Sequence, residues 1–401
     1  MSKQRILIVS SLFPPHVLGG AESSAYNLAL HFRDNGWDVG VLTTALDTGD
    51  AVDNQLFEGM RMWRVLMPRP YATFHFQKAK GLQKLLWHFL DHFDPRNKRI
   101  MADVLDNFKP DVVSIHLLQG LGYNALQEIT RRNIKINFVL HDLGLACIRM
   151  NMFKNGSECA MQCTSCKISS AYKWNMLKQS KKLGFISPSQ ANIETLSRFL
   201  PIKSYRNQAI LNPNTYPPAT AQRVASDNIR FLYVGRLHNT KGVDLLLNVL
   251  LQLKDKYKFK VTVIGDGQES ASLRATYAKE SWCDFTGYIS QSEISNYMVN
   301  SDVMFIPSIW AENSPGVVVH ALSLGLPVMG SRKGGIPELI KDGITGKVIE
   351  AGNKAAWRDA IEAVLQKPEI LEEWRNNCLV HIHDFEITTI VKQQLEFASH
   401  E

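Results

Sequence analysis

Short β-branched apolar runs recur along the first half of the chain, at 5–10 (RILIVS), 38–43 (DVGVLT), 111–115 (DVVSI) and 136–140 (INFVL). The stretches between them carry apolar residues at helical spacing, the alternation expected of a parallel α/β sheet. The alternation restarts at 230–234 (RFLYV) and continues through 260–264 (KVTVI), 302–306 (DVMFI) and 327–329 (PVM). Two α/β halves are predicted, residues 1–209 and 229–385. Between them the periodicity lapses in 210–228 (ILNPNTYPPATAQRVASDN), where prolines forbid a continuous helix, so this stretch is the expected linker. A last helix, within 386–401, is free to pack on either half or to cross back to the first.

One further stretch is amphipathic. Leu82, Leu85, Leu86, Phe89, Leu90 and Phe93 recur at helical spacing, flanked by Lys78, Lys80, Lys84, Arg96, Lys98 and Arg99. Such a helix either rests on an anionic lipid surface or packs its apolar face on the sheet with its charges in solvent.

Composition supports a folded chain of two domains: 401 residues, 45% hydrophobic, with no apolar run of eighteen. The start, MSKQRILIVS, passes directly into a strand pattern without the apolar stretch of a secretory leader, and a cytoplasmic protein is expected. The net charge of +7 is uneven, with 26 Lys and Arg against 16 Asp and Glu in 1–220, and 19 against 22 in 221–401. The first half is therefore suited to an anionic neighbour, such as a membrane surface.

Four of the six cysteines, Cys147, Cys159, Cys163 and Cys166, crowd into one Gly- and Asn-containing stretch of weak periodicity. Four thiolates close a tetrahedral zinc site and hold a loop that has little core, so a structural zinc is expected there, against the alternative of separate reduced thiols. The stretch begins five residues after Asp142, near any site at that strand's end.

Candidate phosphate chemistry lies in the second half. Arg236 and Lys241 in GRLHNTKG (235–242) directly follow a predicted strand, and open parallel sheets bind ligands at the carboxyl ends of their strands. A planar Arg fork and a mobile Lys charge together suit a diphosphate. In WAENSPGVVVHALSLGLPV (310–328), Ser314 is placed as a helix N-cap and Pro315 as the first helical residue, with the amides of Gly316 and Val317 facing any anion. VIGDGQ (263–268) and GGIPE (334–338) are further glycine-rich turns.

Taken in order, FPPHVLGGAE (13–22), NLALHFRDNGWDVGVLTT (27–44), HD (141–142), GRLHNTKG, VIGDGQ, FTGYIS (285–290) and PSIWAENSPGVVVHALSLGLPV resemble family 4 of the retaining glycosyltransferases. The resemblance implies an α/β protein of GT-B fold, two facing Rossmann-like domains with parallel sheets and a cleft between them. It implies a nucleotide-diphosphate sugar, UDP- or GDP-linked, bound mainly by the second domain, and a glycan or lipid-linked glycan acceptor bound by the first. No nucleic-acid partner, and no cofactor for catalysis, is expected. Arg236 and Lys241 fall on the family's diphosphate pair, and Glu312 on the first glutamate of its Glu-x7-Glu motif, which meets the donor sugar. Gly19 and Gly20 match its glycine loop that approaches the phosphates, and Gly235 and Gly265 are further donor-binding candidates. Gly287, Tyr288 and Ile289 match the base-framing loop, and Asn313, Ser314, Pro315, Gly316 and Val317 the segment meeting phosphate and sugar. His141 matches a histidine beside the donor sugar, with Glu22 and Asp142 on the acceptor side.

The second motif position departs from the pattern, since His320 stands where a ribose-binding glutamate is expected. A carboxylate accepts from both ribose hydroxyls, whereas neutral imidazole has one donor and one acceptor. His320 therefore either still faces ribose or is a hydrogen-bonded core histidine. A second departure, LNPN in the linker, falls in a loop. No Asp-x-Asp occurs, so fixed cations and a helix N-terminus are expected to stabilise the leaving diphosphate without a metal. The activity implied is retaining hexosyl transfer in cell-surface polysaccharide, glycolipid or lipopolysaccharide assembly. The alternatives are a GT-B nucleotide- or glycan-binding protein without turnover, for which His320 is the argument, and a nucleotide-sugar epimerase.

Overall fold

A computed structural model describes residues 3–78, 81–154 and 156–400. The chain divides into two compact units: residues 1–152, 159–214 and 387–401 form the first, and 153–158 with 215–386 the second.

In chain order the elements up to the linker are β1 (Arg5–Val9), α1 (Gly20–Asp34), β2 (Asp38–Thr44), β3 (Val52–Phe57), β4 (Met60–Val65), α2 (Leu82–Phe93), α3 (Pro95–Phe108), β5 (Val112–Ile115), α4 (Leu126–Arg131), β6 (Lys135–Val139), the two-residue strands β7 (Phe153–Lys154) and β8 (Ser157–Glu158), α5 (Thr164–Leu177), β9 (Leu183–Ser187), α6 (Gln190–Ser197) and β10 (Arg206–Ala209). Eight of the strands form one sheet in the order β10-β9-β6-β5-β1-β2-β4-β3, parallel except for the β3–β4 pair. Strands covered on both faces read as continuous apolar runs, as in the fully buried Ile6–Val9 of β1 and Leu183–Ser187 of β9.

After the linker come β11 (Ile229–Val234), α7 (Val243–Leu253), β12 (Phe259–Ile264), α8 (Ser270–Tyr277), β13 (Cys283–Gly287), α9 (Gln291–Val299), β14 (Val303–Ile306), α10 (Gly316–Ser323), β15 (Val328–Ser331), α11 (Ile336–Leu339), β16 (Gly346–Ile349), α12 (Lys354–Gln366) and α13 (Glu369–Val380). This sheet is wholly parallel, in the order β13-β12-β11-β14-β15-β16. Phe231 and Phe305 on adjacent strands meet with ring centroids 4.9 Å apart, and Trp357 of α12 closes edge-on over Phe305. Both halves are thus Rossmann-like α/β domains.

Between 210 and 228 no helix or strand forms, and much of the segment is tied to the second unit. Asn296 Oδ1 accepts from the amides of Thr220 and Ala221, and Arg223 pairs with Asp302 at 2.6 Å. The last helix, α14 (Ile387–Ser399), belongs to the first unit: Phe397 packs with Val139, Ile186 and Ile210, and Lys135 Nζ donates to the carbonyls of Phe397 and Ala398 at 3.2 and 3.0 Å.

The amphipathic helix 82–93 forms, but its apolar face does not pack on the sheet. Leu82, Leu85, Leu86, Phe89 and Phe93 are exposed, and the residues α2 buries are Trp87 and Asp91. The reason lies in its anchoring. Trp87 donates through Nε1 to Tyr71 O, and Asp91 accepts from the amide of Gly120, so the polar-spaced side of the helix is the one held inward. Of the flanking cations, Lys80 lies outside the described residues. Among the described residues no helix is long and apolar enough to cross a membrane.

Candidate active site

In the second unit the glycines of the motifs line up across neighbouring strand ends. The amide of Gly235, after β11, donates to Ile264 O, and the amide of Gly265, after β12, donates to Gly287 O at the end of β13. Beside them Tyr288 is almost fully exposed and Ile289 half-buried. Arg236 is exposed, with its carbonyl accepting from the hydroxyl of Tyr233. The following turn, Asn239–Lys241, is closed by His238, whose Nδ1 accepts from the amide of Thr240. Gly242 ends it at φ +70°, where an added Cβ would stand 2.0 Å from the carbonyl oxygen of Pro307. That close approach sets Lys241 against the loop that follows β14.

In that loop Glu312 Oε1 receives three donors: Lys241 Nζ at 2.5 Å, Ser308 Oγ at 2.7 Å and Trp310 Nε1 at 3.1 Å. Burial raises the carboxyl pKa, but the Lys241 charge and these hydrogen bonds outweigh it and hold Glu312 below the usual carboxylate range. None of the three donors uses Oε2. The Glu312 carbonyl accepts from the amide of Gly335, and Gly334 turns at φ +53° directly behind it, joining the GGIPE turn to the Glu312 loop.

The helix after Glu312 starts one residue later than predicted. Pro315 is the N-cap, with ψ 108°, and Gly316 is the first helical residue, while Ser314 supplies no side-chain cap. The extended ψ of Pro315 takes it out of the helix, so the amides of Gly316 and Val317 form the helix start without a competing side-chain oxygen. Asn313 and Ser314 lie half-buried in the connection.

His320, on α10, is buried at 4% exposure. Its Nε2 lies 3.1 Å from Ser295 Oγ, the same hydroxyl donates to Pro217 O, and the ring stacks on Tyr216 of the linker at 4.6 Å and 11°. The ring is thus hydrogen-bonded and stacked within the second unit. Burial lowers its pKa to about 4, so the ring is neutral at neutral pH.

In the first unit, α1 starts behind Gly19 as N-cap, with Gly20 its first residue, and Glu22 sits buried in the first turn with its carboxylate folded back on the amides of Gly19 and Glu22. Burial nevertheless raises its pKa. His141 and Asp142 follow the end of β6. Burial raises the pKa of Asp142, the amide of Gly144 donates to it at 2.6 Å, and the nearby charges of Lys173 and Glu22 act on it in opposite directions. The first turn of α1 and the end of β6 thus bring Glu22 close enough to Asp142 for its charge to act on it, with His141 alongside.

A residue that sequence reasoning missed completes this cluster. His116 follows β5 as His141 follows β6, and its Nδ1 lies 2.8 Å from His141 Nε2 with the rings stacked at 5.0 Å. Its other nitrogen is 3.3 Å from Ser114 Oγ. Burial lowers the pKa of both, His141 to about 4, so two neutral imidazoles share one N–H. The available signal was DVVSIH, a histidine directly after a strand, as in INFVLH.

The expected zinc site is corrected. Among the described residues no group of three or more His, Cys, Asp or Glu is arranged to hold a metal ion. Cys147 and Cys166 are buried with their sulfurs 3.9 Å apart, Cys159 packs against the same apolar core, and Cys163 is exposed beside Ser165. The stretch has a core of its own, into which Cys147 and Cys166 are buried, and burial pushes the Cys166 thiol up to about 11.

Comparison with known proteins agrees with this architecture. A family model described as Glycosyltransferase Family 4 matches residues 18–204, and one described as Glycosyl transferases group 1 matches 220–378. An uncharacterized 42.6 kDa protein in the cps region of Klebsiella pneumoniae is 26% identical over 334 residues, covering 83% of this chain and 87% of its own. The lipopolysaccharide 1,2-N-acetylglucosaminetransferase of Salmonella typhimurium is 32% identical over 156 residues, covering 33% of this chain and 41% of its own. The structure of Anabaena HepE in complex with UDP superposes with a TM-score of 0.68 at 17% identity, over 98% of this chain and 99% of that one. With two Rossmann-like domains and both family models matched in order, the chain belongs to glycosyltransferase family 4 and has the GT-B fold.

Proposed function

We propose that this glycosyltransferase moves a sugar from a nucleotide-diphosphate sugar to a hydroxyl of a glycan or lipid-linked glycan, with retention at the anomeric carbon, in the assembly of a cell-surface polysaccharide or glycolipid. The observation that carries the proposal is the Lys241–Glu312 pair, held at the carboxyl ends of β11 and β14 beside the start of α10. Relatives in a cps region and in lipopolysaccharide synthesis support the biosynthetic setting, and the UDP bound to HepE makes uridine the first base to test.

In this reading Arg236 and Lys241 take the charge that develops on the leaving diphosphate, and the amides of Gly316 and Val317 add to them, so no metal clamp is required. Glu312 turns Oε2 to a hydroxyl of the donor sugar. A carboxylate whose Oε1 already accepts three hydrogen bonds is a poor nucleophile, which favours an orienting role over attack. The bond from the anomeric carbon to the diphosphate oxygen breaks, the acceptor oxygen bonds to the same face, and the acceptor proton passes to the departing phosphate. Neutral His141 hydrogen-bonds a sugar hydroxyl, with Glu22 and Asp142 on the acceptor side. His320 acts through Tyr216 and Ser295 rather than on the ribose.

A panel of UDP- and GDP-sugars screened by thermal shift tests the donor, since a ligand of the folded state alone raises the melting temperature. The proposal expects one donor to stabilise the protein and NMR of its transfer product to show the donor's anomeric configuration. An inverted product, or no donor that binds, overturns it.

A further inference from the structure

A cavity of about 600 Å³ lies within the first unit, lined by α2, α5 and the segments that follow β5 and β6. Its polar end holds His116, His141, Asp142 and Lys173, the last donating to Gly144 O at 2.6 Å. Its other walls are mostly apolar, among them Trp87, Leu118, Phe138 and Leu145, with His88, Asp91, His92 and Gln119 set into them. Toward the surface the apolar lining does not stop: Leu85 is 68% exposed, Phe89 59%, Phe93 57% and Ile168 68%. Leu85, Phe89 and Phe93 fall on one stripe of α2, and at 1.5 Å per residue that stripe runs for about 12 Å.

Because apolar residues predominate on these walls, a polar glycan threaded along them would leave most of its hydroxyls without partners. A compact apolar ring would fill the interior and leave the outer stripe bare, and a contiguous exposed apolar surface marks a binding face. The occupant that matches both ends has a polar head at His141 and Asp142 and a long apolar body.

We propose that this cavity takes the apolar chain of an amphiphilic acceptor, a sugar joined to an acyl or isoprenoid chain, with the acceptor hydroxyl at His141 and Asp142 and the chain leaving along Leu85, Phe89 and Ile168. The proposal rests on the reading that the first unit binds the acceptor. It narrows that acceptor to one carrying an apolar chain close to the hydroxyl that is glycosylated.

Titration calorimetry of the intact protein tests it, with glucose and butyl, hexyl and octyl glucosides, each below its micelle concentration. Burial of each added methylene is expected to tighten binding about threefold to fourfold. Phe89→Asp and Ile168→Asp are expected to weaken octyl glucoside at least tenfold. Both positions are exposed, and an unchanged melting temperature in each variant shows that it is folded. Geranyl glucoside in place of octyl distinguishes an isoprenoid from a straight chain. Equal affinity along the chain series, or variants that bind like wild type, overturns the proposal. Vesicles of anionic lipid that bind while the monomeric glycosides do not make this face a membrane seat and also overturn it. Chain-dependent binding in a protein that no nucleotide stabilises upholds the cavity and removes the donor reading alone.

Discussion

Lys241 Nζ stands 2.5 Å from Glu312 Oε1, although 71 residues separate them in the chain and they follow different strands. The cation suited to a phosphate and the carboxylate suited to a sugar hydroxyl thus hold each other in place. Each is the reason the other is well positioned.

Replacing either partner leaves a partly buried charge alone. Glu312→Ala and Lys241→Ala are expected to abolish transfer nearly completely, and Lys241→Ala to lose about 2 kcal/mol of stability. The pKa of Glu312 is held below 4.5, so the pair's contribution is full above that pH and is lost as the pH falls through the lower folded-state value. Urea unfolding at pH 7 and at pH 3.5 should find the gap between wild type and Lys241→Ala smaller at the acid pH. Wild-type turnover in either variant would overturn this map of the site.

Gly334→Ala acts on the same carboxylate from behind. The residue stands at φ +53°, and a Cβ there would come 2.0 Å from the carbonyl oxygen of Glu312, a backbone atom that cannot swing aside. Strain at such a position costs about 1–3 kcal/mol, and the collision adds to it. A lower melting temperature together with a lower kcat is expected, and a variant as active as wild type would show that the Glu312 loop is not set by this turn.

The buried histidines make the fold sensitive to acid. His320 has a folded-state pKa of about 4 against 6.5 for the free side chain, so the unfolded chain binds the proton first. Stability should therefore fall as the pH drops from 6.5 towards 4 and be unaffected by this group above that window. At about 1.4 kcal/mol per pH unit, His320 accounts for about 2 kcal/mol between pH 7 and pH 5. His320→Gln should lose that much less over the same interval in denaturant unfolding. An identical pH slope in the two proteins would place the titration elsewhere.

His116 is expected to act through His141. With His116→Asn the hydrogen bond that fixes the His141 tautomer changes, and kcat should fall on the order of tenfold while KM for the donor changes little. Equal losses in kcat and in nucleotide binding would point instead to a general disturbance of the fold.

Much of this architecture was legible because the central strands are buried on both faces and spell themselves as β-branched runs, as RILIV and VMFI do. Pattern reading passed over one such buried strand, LGFIS (β9), whose glycine and single β-branched residue make a weak run, and several strands of other kinds. VDNQLF (β3) and RNQA (β10) are polar edge strands, and MRMWRV (β4), beside one of them, has its apolar run interrupted by two arginines. Arg236, Lys241 and Glu312 were legible as strand-end chemistry, because the ends of parallel strands are where such residues converge. The partners of Glu312 were not, since Ser308 and Trp310 reach it only through the turn of the loop. Nor was the seating of the cysteines, because spacing says nothing about whether thiols face one another or an apolar core. The outward face of α2 was equally hidden, as an amphipathic pattern reports that one face is apolar without saying what covers it.

The placement of α14 also bears on how the protein is made. Phe397 and Ala398 help to seal the first unit, so that unit lacks a wall until the ribosome has also delivered residues 215–386. During synthesis the second unit is the one free to finish first, contrary to the usual N-terminal order of domain folding. A fragment cut at the linker would accordingly be born with the surface around Val139, Ile186 and Ile210 open to water.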